Sequence, residues 1–438
     1  MMPESGLNWI ADLHTDIGLG EAARLLHRAL NVGGIPYHHV PIEFELHLPI
    51  MPAPIEMRSR PEVFPTSLML ANADVSAYYR DKIDPHYWQN VYRIGYWFWE
   101  LQDFPAQVKT AFQEVDEVWV ASTYTQSALS RISPVPIVHM PLPIYTPPVQ
   151  GRRADFGLPQ DQFVFFFSFS PLSSIARKNP FAVIEAFKRG FAHTQHKPCL
   201  VIKAHHLLEA HDGGFQAALQ AAIAEVDGIL ITDTLDRQQT FALMSVCDAY
   251  VSLHRSEGWG LGMAEAMALG KPVIATGYSG NLDFMTHQNS ALVNYHLRAI
   301  QPEDHHYQPR YVTIYEPGQL WAEPDVDHAA WWMQRLVNDP SEAQALGRQA
   351  CQDVAQHHSP EKTAENIVQR LAHLPQRAPH FTLNPAITAL TPMQHVRRLA
   401  RRPYELAYGS RRVVREQGVI GFIRQTGHWI RKRLKADF

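Results

Sequence analysis

Short apolar runs alternate along the chain with longer segments in which apolar residues recur at helical spacing. In the first third, these runs predict strands at residues 7–11, 67–72, 92–97, 117–121 and 136–140, with a helix over 20–32. A second series predicts strands at residues 163–169, 200–204, 228–231, 249–253, 272–275 and 291–294, with helices between them. Strands that alternate with helices are typical of doubly wound parallel sheets. The pattern therefore predicts an α/β protein with two such sheets.

A proline-rich stretch, MPLPIYTPPVQ at residues 140–150, separates the two series. Proline lacks a backbone N–H and disfavours regular structure, so we expect the interdomain linker here. The predicted domains are an N-terminal domain over residues 1–145, a second α/β domain over 151–375 and a separate tail over 376–438.

Composition is typical of a globular enzyme. The chain has 438 residues, 46% of them hydrophobic, which is enough for two or three domains with sizeable cores. Its three cysteines lie far apart without a CxxC, which indicates a reducing compartment and neither a disulfide frame nor a zinc site. The N-terminus lacks the pattern of a signal peptide, and no run approaches the ~18 apolar residues of a membrane span. We expect a chain that is neither secreted by that route nor membrane-spanning.

The net charge of −4 conceals a basic C-terminal tail. Residues 392–438 contain twelve Lys or Arg and three acids, so this stretch carries +9 and the remainder carries −13. Aliphatic and aromatic residues, among them Phe422, Trp429 and Ile430, are interleaved with the charges. Such a segment is typical of an amphipathic helix on an anionic membrane face. The alternatives are a solvated basic tail and a helix docked on the acidic body of the protein.

The segment SEGWGLGMAEAMALGKPVIAT, residues 256–276, sets two carboxylates eight positions apart around a glycine turn that opens a helix. Glu257 in the turn can accept hydrogen bonds from sugar hydroxyls, and Glu265 in the helix can accept both hydroxyls of a ribose. Gly258 and Gly260 let the backbone approach a ligand closely. The helix begins with the free backbone N–H groups of Trp259, Gly260 and Leu261, and such a helix N-terminus favours binding of an anion.

Basic residues at strand ends form a second cluster. Arg177 and Lys178 follow the strand FVFFFSFS, so they are expected at the carboxyl end of a parallel sheet, where ligands of such folds bind. Two fixed positive charges there can neutralise a bound diphosphate. Lys203, at the end of LVIKA, is a further basic candidate for binding phosphate, with a merely solvated lysine as the alternative.

The acidic segment and the Arg177-Lys178-Asn179 sequence resemble the E-x7-E and RKN segments of the retaining glycosyltransferases of family 4. These have the GT-B fold, in which two Rossmann-like domains face a central cleft, and the resemblance implies that residues 1–145 form the acceptor-side domain and residues 151–375 the nucleotide-sugar domain. The resemblance covers about residues 8–373. It implies transfer of a hexose, of mannose or glucose type, from a nucleoside diphosphate sugar, with front-face departure and no metal requirement. It also implies that Lys178, supported by Arg177, neutralises the donor phosphates, that Glu257 holds the donor sugar, and that a late helix within residues 360–373 crosses back to the first domain.

The first domain contributes three further expectations. Gly18 and Gly20 follow the first strand and can bring backbone N–H groups towards the phosphates, although a lone GxG is a weak motif. Glu100 remains where many relatives of this family place a His-Glu pair, and Trp99 stands in the place of the histidine. We therefore expect Trp99 and Glu100 to shape the sugar or acceptor pocket. The alternative is that Trp99, two positions after Trp97, belongs to the core.

His254 lies just before the acidic turn, where it can reach an acceptor or phosphate. None of the 24 histidines has the HExxH or another regular ligand spacing, so we expect neither a metal site nor a cofactor besides the sugar nucleotide. No basic stripe with interleaved aromatics marks the main body as a nucleic-acid binder.

From these sites and the resemblance we expect an enzyme that transfers a hexosyl group to a hydroxyl of a glycan or a lipid-linked glycan in polysaccharide assembly. The expected location is cytoplasmic and peripheral at the inner membrane face. The alternatives are a GT-B sugar-nucleotide epimerase, a phosphorylase and a non-catalytic glycan-binding protein.

Overall fold

The computed structural model describes residues 6–44, 60, 63–194, 197–207, 213–307 and 314–375. The predicted tail, residues 376–438, lies outside the described residues. Within the part of the chain that is described, none of the helices combines the length and the apolar character that crossing a bilayer requires.

The first domain is built on a six-stranded parallel sheet with the strand order β2-β1-β3-β4-β5-β6. Its central strands are buried on both faces, as expected for a parallel sheet covered by helices. The strands are β1 Leu7–Ala11, β2 Tyr37–Pro41, β3 Thr66–Leu70, β4 Tyr92–Trp97, β5 Glu117–Val120 and β6 Ile137–His139. The helices are α1 Gly18–Val32, α2 Ser76–Arg80 and α3 Thr123–Ser130, with 3₁₀ turns at Pro85–Tyr87 and Ala106–Glu114.

The second domain repeats this plan with a parallel sheet in the order β12-β11-β10-β7-β8-β9. The strands are β7 Val164–Phe169, β8 Cys199–Ala204, β9 Ile229–Ile231, β10 Ala249–Ser252, β11 Val273–Thr276 and β12 Ala291–Val293. The helices are α4 Ile175–Lys178, α5 Pro180–Phe191, α6 Gly213–Ala224, α7 Arg237–Val246, α8 Leu261–Ala268, α9 Val326–Asn338 and α10 Pro340–His357. Short 3₁₀ turns lie at Arg153–Phe156, Gly280–Asp283 and Pro302–His305.

An antiparallel hairpin interrupts the second domain between β12 and α9. It consists of β13 Tyr295–Ala299 and β14 Leu320–Pro324, which pair from Tyr295 with Pro324 to Ala299 with Leu320. The apolar pattern did not predict this hairpin, because its first strand is largely exposed and reads YHLRA. Trp321 of β14 is fully buried, and it anchors the hairpin to the aromatic core of the first domain.

The last described helix, α11 Pro360–Ala372, packs on the first domain. The Ser359 side chain caps it by accepting a hydrogen bond from Lys362 N, a common helix start. Its small residues permit a close approach to α1, since a Cβ added at Gly33 would lie 2.7 Å from Ala364 Cβ. Arg370 Nε donates a hydrogen bond of 2.9 Å to Glu117 Oε1 in β5. The chain thus leaves the second sheet and returns to the first.

Both sheets agree with the fold class predicted from the sequence. The two parallel sheets contain twelve strands, and the predicted strands correspond to all of them except β2, which the apolar pattern missed. β2 is an edge strand with the sequence YHHVP, and its half-buried histidines break the apolar run.

Candidate active site

A cavity of about 540 Å³ lies between the two domains at the carboxyl ends of their strands. This is where ligands of open α/β sheets bind. Loops after β1, β3 and β4 form its first-domain wall, and loops after β7, β8 and β10 form its second-domain wall. Each of these six loops contributes lining residues, and one from each, in the same order, is Asp16, Asp74, Glu100, Ser170, His205 and Glu257.

The turn that carries Glu257 is fixed by contacts of its backbone. Glu257 N donates a hydrogen bond of 2.8 Å to Ser279 Oγ, and Gly280 N donates one of 2.9 Å to Glu257 O. A Cβ on Gly280 would lie 2.3 Å from Gly258 O, so only glycine permits this approach. Gly260, with φ of 104°, is the N-cap of α8. Backbone contacts therefore fix the conformation of this turn. The turn directs the Glu257 side chain into the cavity.

Two cations converge on the Glu257 carboxylate. Lys178 Nζ lies 2.6 Å from Oε1, and Arg177 Nη1 lies 3.1 Å from Oε2. Both cations belong to α4, a single turn capped by the side chain of Ser174. The turn is held against β10 because Arg255 N donates a hydrogen bond of 2.8 Å to Arg177 O, and Asn179 Nδ2 donates one of 3.0 Å to Leu253 O.

The cations determine the charge state of this carboxylate. Burial opposes ionisation, but Lys178, Arg177 and His254 outweigh it and lower the pKa of Glu257 to about 2. Burial also opposes the charge of Arg177, whose pKa is nevertheless raised by Tyr315, Glu257 and Glu100. Glu257 is therefore an anion at neutral pH. Arg177 is only 4% exposed, and its Nε has no hydrogen-bond partner among the described residues.

Glu100 and Trp99 approach this cluster from the first domain. Glu100 Oε1 lies 3.8 Å from Arg177 Nη2, and Glu100 Oε2 accepts a hydrogen bond of 2.8 Å from the Tyr315 hydroxyl. Trp99 lines the cavity but is only 4% exposed, and its ring packs 5.4 Å from Phe104 and 5.9 Å from Tyr315 between centroids. The Trp99 ring thus belongs to an aromatic cluster, and Glu100 provides the polar group.

Glu265 lies in α8 on the other side of the turn and is bound by Arg237. Arg237 Nη2 contacts Glu265 Oε1 and also lies 2.8 Å from Glu21 Oε1 in α1 of the first domain. Burial raises the pKa of Glu265, although Arg237 opposes this effect. Arg237 was not among the site residues predicted from the sequence. A capping box formed by Asp236 and Gln239 marks the start of α7, but no local pattern indicates which carboxylates Arg237 reaches.

Several predicted donor residues line the cavity. These residues are Gly18, Gly258, Trp259, Gly260 and Leu261. The ring of Trp259 is only 2% exposed and packs 5.0 Å from Phe284, so its side chain is structural and its backbone faces the cavity region. A Cβ on Gly258 would lie 3.1 Å from Trp99 O, so this glycine also permits close contact between the domains.

Three predicted site residues do not line the cavity: Gly20, Lys203 and His254. A Cβ on Gly20 would lie 2.1 Å from Thr15 O, so this glycine serves the packing of α1. Lys203 is fully buried with Nζ 2.9 Å from the His205 ring nitrogens, and burial lowers its pKa to about 8. His254 is fully buried as well, with Nε2 3.2 Å from Asn281 Oδ1. The structure thus does not place these three residues at the cavity surface, where the Gly20 backbone N–H and the side chains of Lys203 and His254 were expected.

One group of potential metal ligands is present among the described residues. Asp16, His205 and His206 have ligand atoms that all lie within 4.8 Å of one another. Lys203 Nζ adjoins His205, and burial and this lysine lower the pKa of His205 to about 4. A cation next to a ligand disfavours a second cation through Coulomb repulsion. The expectation that no metal is needed stays a prediction.

Comparison with known proteins agrees with this geometry. Residues 153–296, which are 144 of the 438 residues, match the family model described as Glycosyl transferases group 1. The matched segment contains the Arg177-Lys178 turn and both glutamates. Together with the two parallel sheets around one cleft, the match supports a glycosyltransferase of the GT-B fold. A search of the curated proteins found no match.

Solved structures share the fold at low sequence identity. Sucrose-phosphate synthase from Thermosynechococcus elongatus is 17% identical with a TM-score of 0.57, covering 84% of this chain and 98% of its own. A glycosyltransferase from Rickettsia africae is 13% identical with a TM-score of 0.58, with the same coverage of 84% and 98%. Anabaena HepE, solved with UDP and glucose, is 14% identical with a TM-score of 0.55, covering 84% and 100%. These likenesses show the GT-B fold.

Proposed function

We propose that this protein is a retaining glycosyltransferase similar to those of family 4. In this proposal it moves a hexose, of mannose or glucose type, from a nucleoside diphosphate sugar to a hydroxyl of a glycan or a lipid-linked glycan. The observation that carries the proposal is the convergence of Lys178 and Arg177 on Glu257 inside the interdomain cavity, at 2.6 and 3.1 Å.

The proposed chemistry is stabilisation of the leaving group. The bond between the anomeric carbon and the diphosphate breaks, and negative charge develops on the departing phosphate oxygen. Lys178, Arg177 and the N-terminus of α8 supply positive charge in the cavity. Preorganised charges of this kind contribute roughly 3 kcal/mol per donor to lowering a barrier. The cations are held by Glu257 in the structure, so they are already positioned before a donor binds.

The two glutamates have separate proposed roles. Glu257 accepts hydrogen bonds from hydroxyls of the donor sugar, and Glu265 accepts those of the ribose. Because Arg237 contacts Glu265 in the structure, ribose binding requires the Glu265 carboxylate to exchange part of this contact for the ribose hydroxyls. Arg237 retains Glu21 as a partner at 2.8 Å, so the exchange leaves no unpaired charge.

Retention of configuration requires the acceptor oxygen to attack the face from which the diphosphate leaves. A new C–O bond forms as the old one breaks, and the proton of the acceptor hydroxyl passes to the departing phosphate oxygen on the same face. We propose that no metal ion is needed, because Lys178 and Arg177 provide the charge that a divalent cation provides elsewhere.

The proposed location follows from the tail at residues 392–438, with its charge of +9. Each basic residue near an anionic leaflet contributes about 1 kcal/mol to attachment. An enzyme that elongates a lipid-linked glycan gains from being concentrated there. We therefore propose a cytoplasmic enzyme, peripheral at the inner membrane face.

The test is a panel of UDP-, GDP- and ADP-hexoses presented to the purified full chain, with thermal shift and nucleotide release as readouts. We expect one nucleotide sugar to raise the melting temperature and to be hydrolysed slowly without acceptor. With an acceptor glycan added, we expect NMR of the glycoside that forms to show the retained anomer. Recovery of an epimerised nucleotide sugar would instead identify an epimerase. Glycan binding with no response to any nucleotide sugar would favour the non-catalytic alternative.

A further inference from the structure

Apolar side chains line part of the interdomain cavity, beside polar ones. Among them are the half-buried, and therefore still accessible, side chains of Ile17, Leu19, Phe98, Val108 and Ile314. The first four belong to the first domain, and Ile314 precedes β14 of the hairpin. All five pack against the buried cores of the protein. Apolar side chains that line a cleft and remain accessible are typical of ligand-binding walls.

The cations that line the cavity are all engaged by carboxylates. Arg177 and Lys178 contact Glu257, and Arg237 contacts Glu265 and Glu21. Arg24 Nε donates a hydrogen bond of 3.0 Å to Glu21. Among the described lining residues, no lysine or arginine lacks such a carboxylate. The proposed donor diphosphate uses Lys178 and Arg177, so the lysines and arginines that remain among the described lining residues are Arg237 and Arg24, which share Glu21 as a partner.

The charge of the cavity also opposes an anionic acceptor. Six carboxylates and four lysines or arginines line it among the described residues. The acids on the first-domain side are Asp16, Glu21, Asp74 and Glu100. A phosphorylated sugar next to Asp74 and Glu100 meets like charge in a partly desolvated site, which is unfavourable.

We propose that the first-domain side of the cavity binds an uncharged acceptor that has an apolar group next to its sugar. The sugar hydroxyls face Asp74 and Glu100, and the apolar group packs on the wall formed by Phe98, Val108 and Ile314. The assignment of this side to the acceptor rests on the proposed glycosyl transfer. It separates this protein from transferases that act on sugar phosphates.

The test is calorimetric binding of matched ligands to the full chain below their micelle concentrations. The probes are octyl β-glucoside and octyl α-mannoside, their methyl counterparts, and glucose 6-phosphate and mannose 6-phosphate. We expect at least one octyl glycoside to bind tenfold or more tightly than its methyl counterpart, a ratio that burial of about two methylene groups accounts for. Both sugar phosphates are expected to bind more weakly than the methyl glycosides.

Matched variants locate the bound apolar group. Val108→Ser and Ile314→Ser should each reduce the octyl-to-methyl ratio severalfold. Val337→Ser, a change at a half-buried valine of α9 outside the cavity lining, should leave it unchanged. Melting temperatures of the three variants separate loss of folding from loss of binding.

Three results overturn the inference: an octyl-to-methyl ratio near one for both sugars, a ratio that Val108→Ser and Ile314→Ser leave intact, or tighter binding of a sugar phosphate than of the methyl glycosides. Nucleotide-sugar turnover is measured separately. If an octyl glycoside binds at the apolar wall but no nucleotide sugar is turned over, the proposed transferase activity is contradicted and the proposed apolar binding site is not. The two failures are therefore distinguishable.

Discussion

The Tyr315 hydroxyl donates a hydrogen bond of 2.8 Å to Glu100 Oε2, and this bond joins the hairpin segment of the second domain to the wall of the first. Burial and Glu100 raise the pKa of Tyr315 well above its usual value, so the hydroxyl remains a donor throughout the working pH range. A second contact supports the first, because Gln319 Nε2 donates a hydrogen bond of 3.0 Å to Asp103 O. The orientation of Glu100 towards Arg177 thus depends on an insertion distant in sequence.

Replacing Tyr315 with Phe tests this dependence. The change keeps the ring and removes a hydrogen bond to a charged group, which is worth roughly 1.5–3 kcal/mol. We expect kcat/KM for transfer to an acceptor to fall by about tenfold, because Glu100 loses its orientation, whereas slow donor hydrolysis changes little. Tyr295→Phe, on the exposed first strand of the same hairpin, is the control and should behave as wild type. Equal losses in transfer and in hydrolysis would show that Tyr315 acts on the donor instead.

Lys178→Ala removes the cation nearest to Glu257. We expect kcat/KM to fall by about a hundredfold or more, since a transition-state charge contact is lost. Lys188→Ala is the matched control, because Lys188 also pairs with a glutamate, Glu225 at 2.8 Å, but on the surface. Steady-state nucleotide release measures both variants. An unchanged value in Lys178→Ala would show that other groups bind the diphosphate.

Gly280→Ala tests the backbone of the acidic turn. A Cβ there would lie 2.3 Å from Gly258 O and 2.9 Å from Glu257 O, and these backbone atoms cannot move aside cheaply. We expect a loss of stability of about 1–3 kcal/mol together with a loss of activity, because the turn that directs Glu257 must shift. Gly18→Ala is the control for stability, since nothing lies within 4 Å of its added Cβ. Urea unfolding measures the stability of both variants relative to wild type. Equal stability of the two variants would contradict the steric argument.

Much of the fold follows from the sequence, because buried parallel strands are contiguous apolar runs. The segments of β1 and β4 were predicted at their observed bounds, and the glycine turn with its two acids was predicted from local pattern alone. The edge strand β2 and the hairpin were missed because neither forms a contiguous apolar run: β2 reads YHHVP, and the first strand of the hairpin reads YHLRA. Local pattern detects burial, so it detects best the strands that helices cover on both faces.

Side-chain direction was the weaker part of the prediction. Every residue of β8 is buried, so alternation could not indicate that the Lys203 side chain contacts His205 inside the protein instead of lining the cavity. His254 turns towards Asn281, which the chain supplies from a later 3₁₀ turn. Arg237 and Tyr315 were missed because their carboxylate partners lie in other elements, and only the folded chain brings them together.

The membrane proposal is tested by liposome flotation with the full chain and with a chain that ends near Pro392. The full chain should float with anionic vesicles and be released in high salt, since electrostatic attachment is screened there. The shortened chain should stay at the bottom, and neutral vesicles serve as a control for both. If neither version binds anionic vesicles, the tail has another role and the lipid-linked acceptor loses its main support.

The most direct test of the account is the rate of hexose transfer by Glu257→Gln. The proposed role needs the Glu257 carboxylate, which Lys178 and Arg177 hold ionised by lowering its pKa to about 2, and glutamine keeps the shape without the charge. Glu225→Gln, a surface glutamate paired with Lys188, is the matched control. The account predicts loss of transfer by at least about a thousandfold in folded Glu257→Gln, with wild-type transfer in Glu225→Gln. Wild-type turnover in purified Glu257→Gln would contradict it.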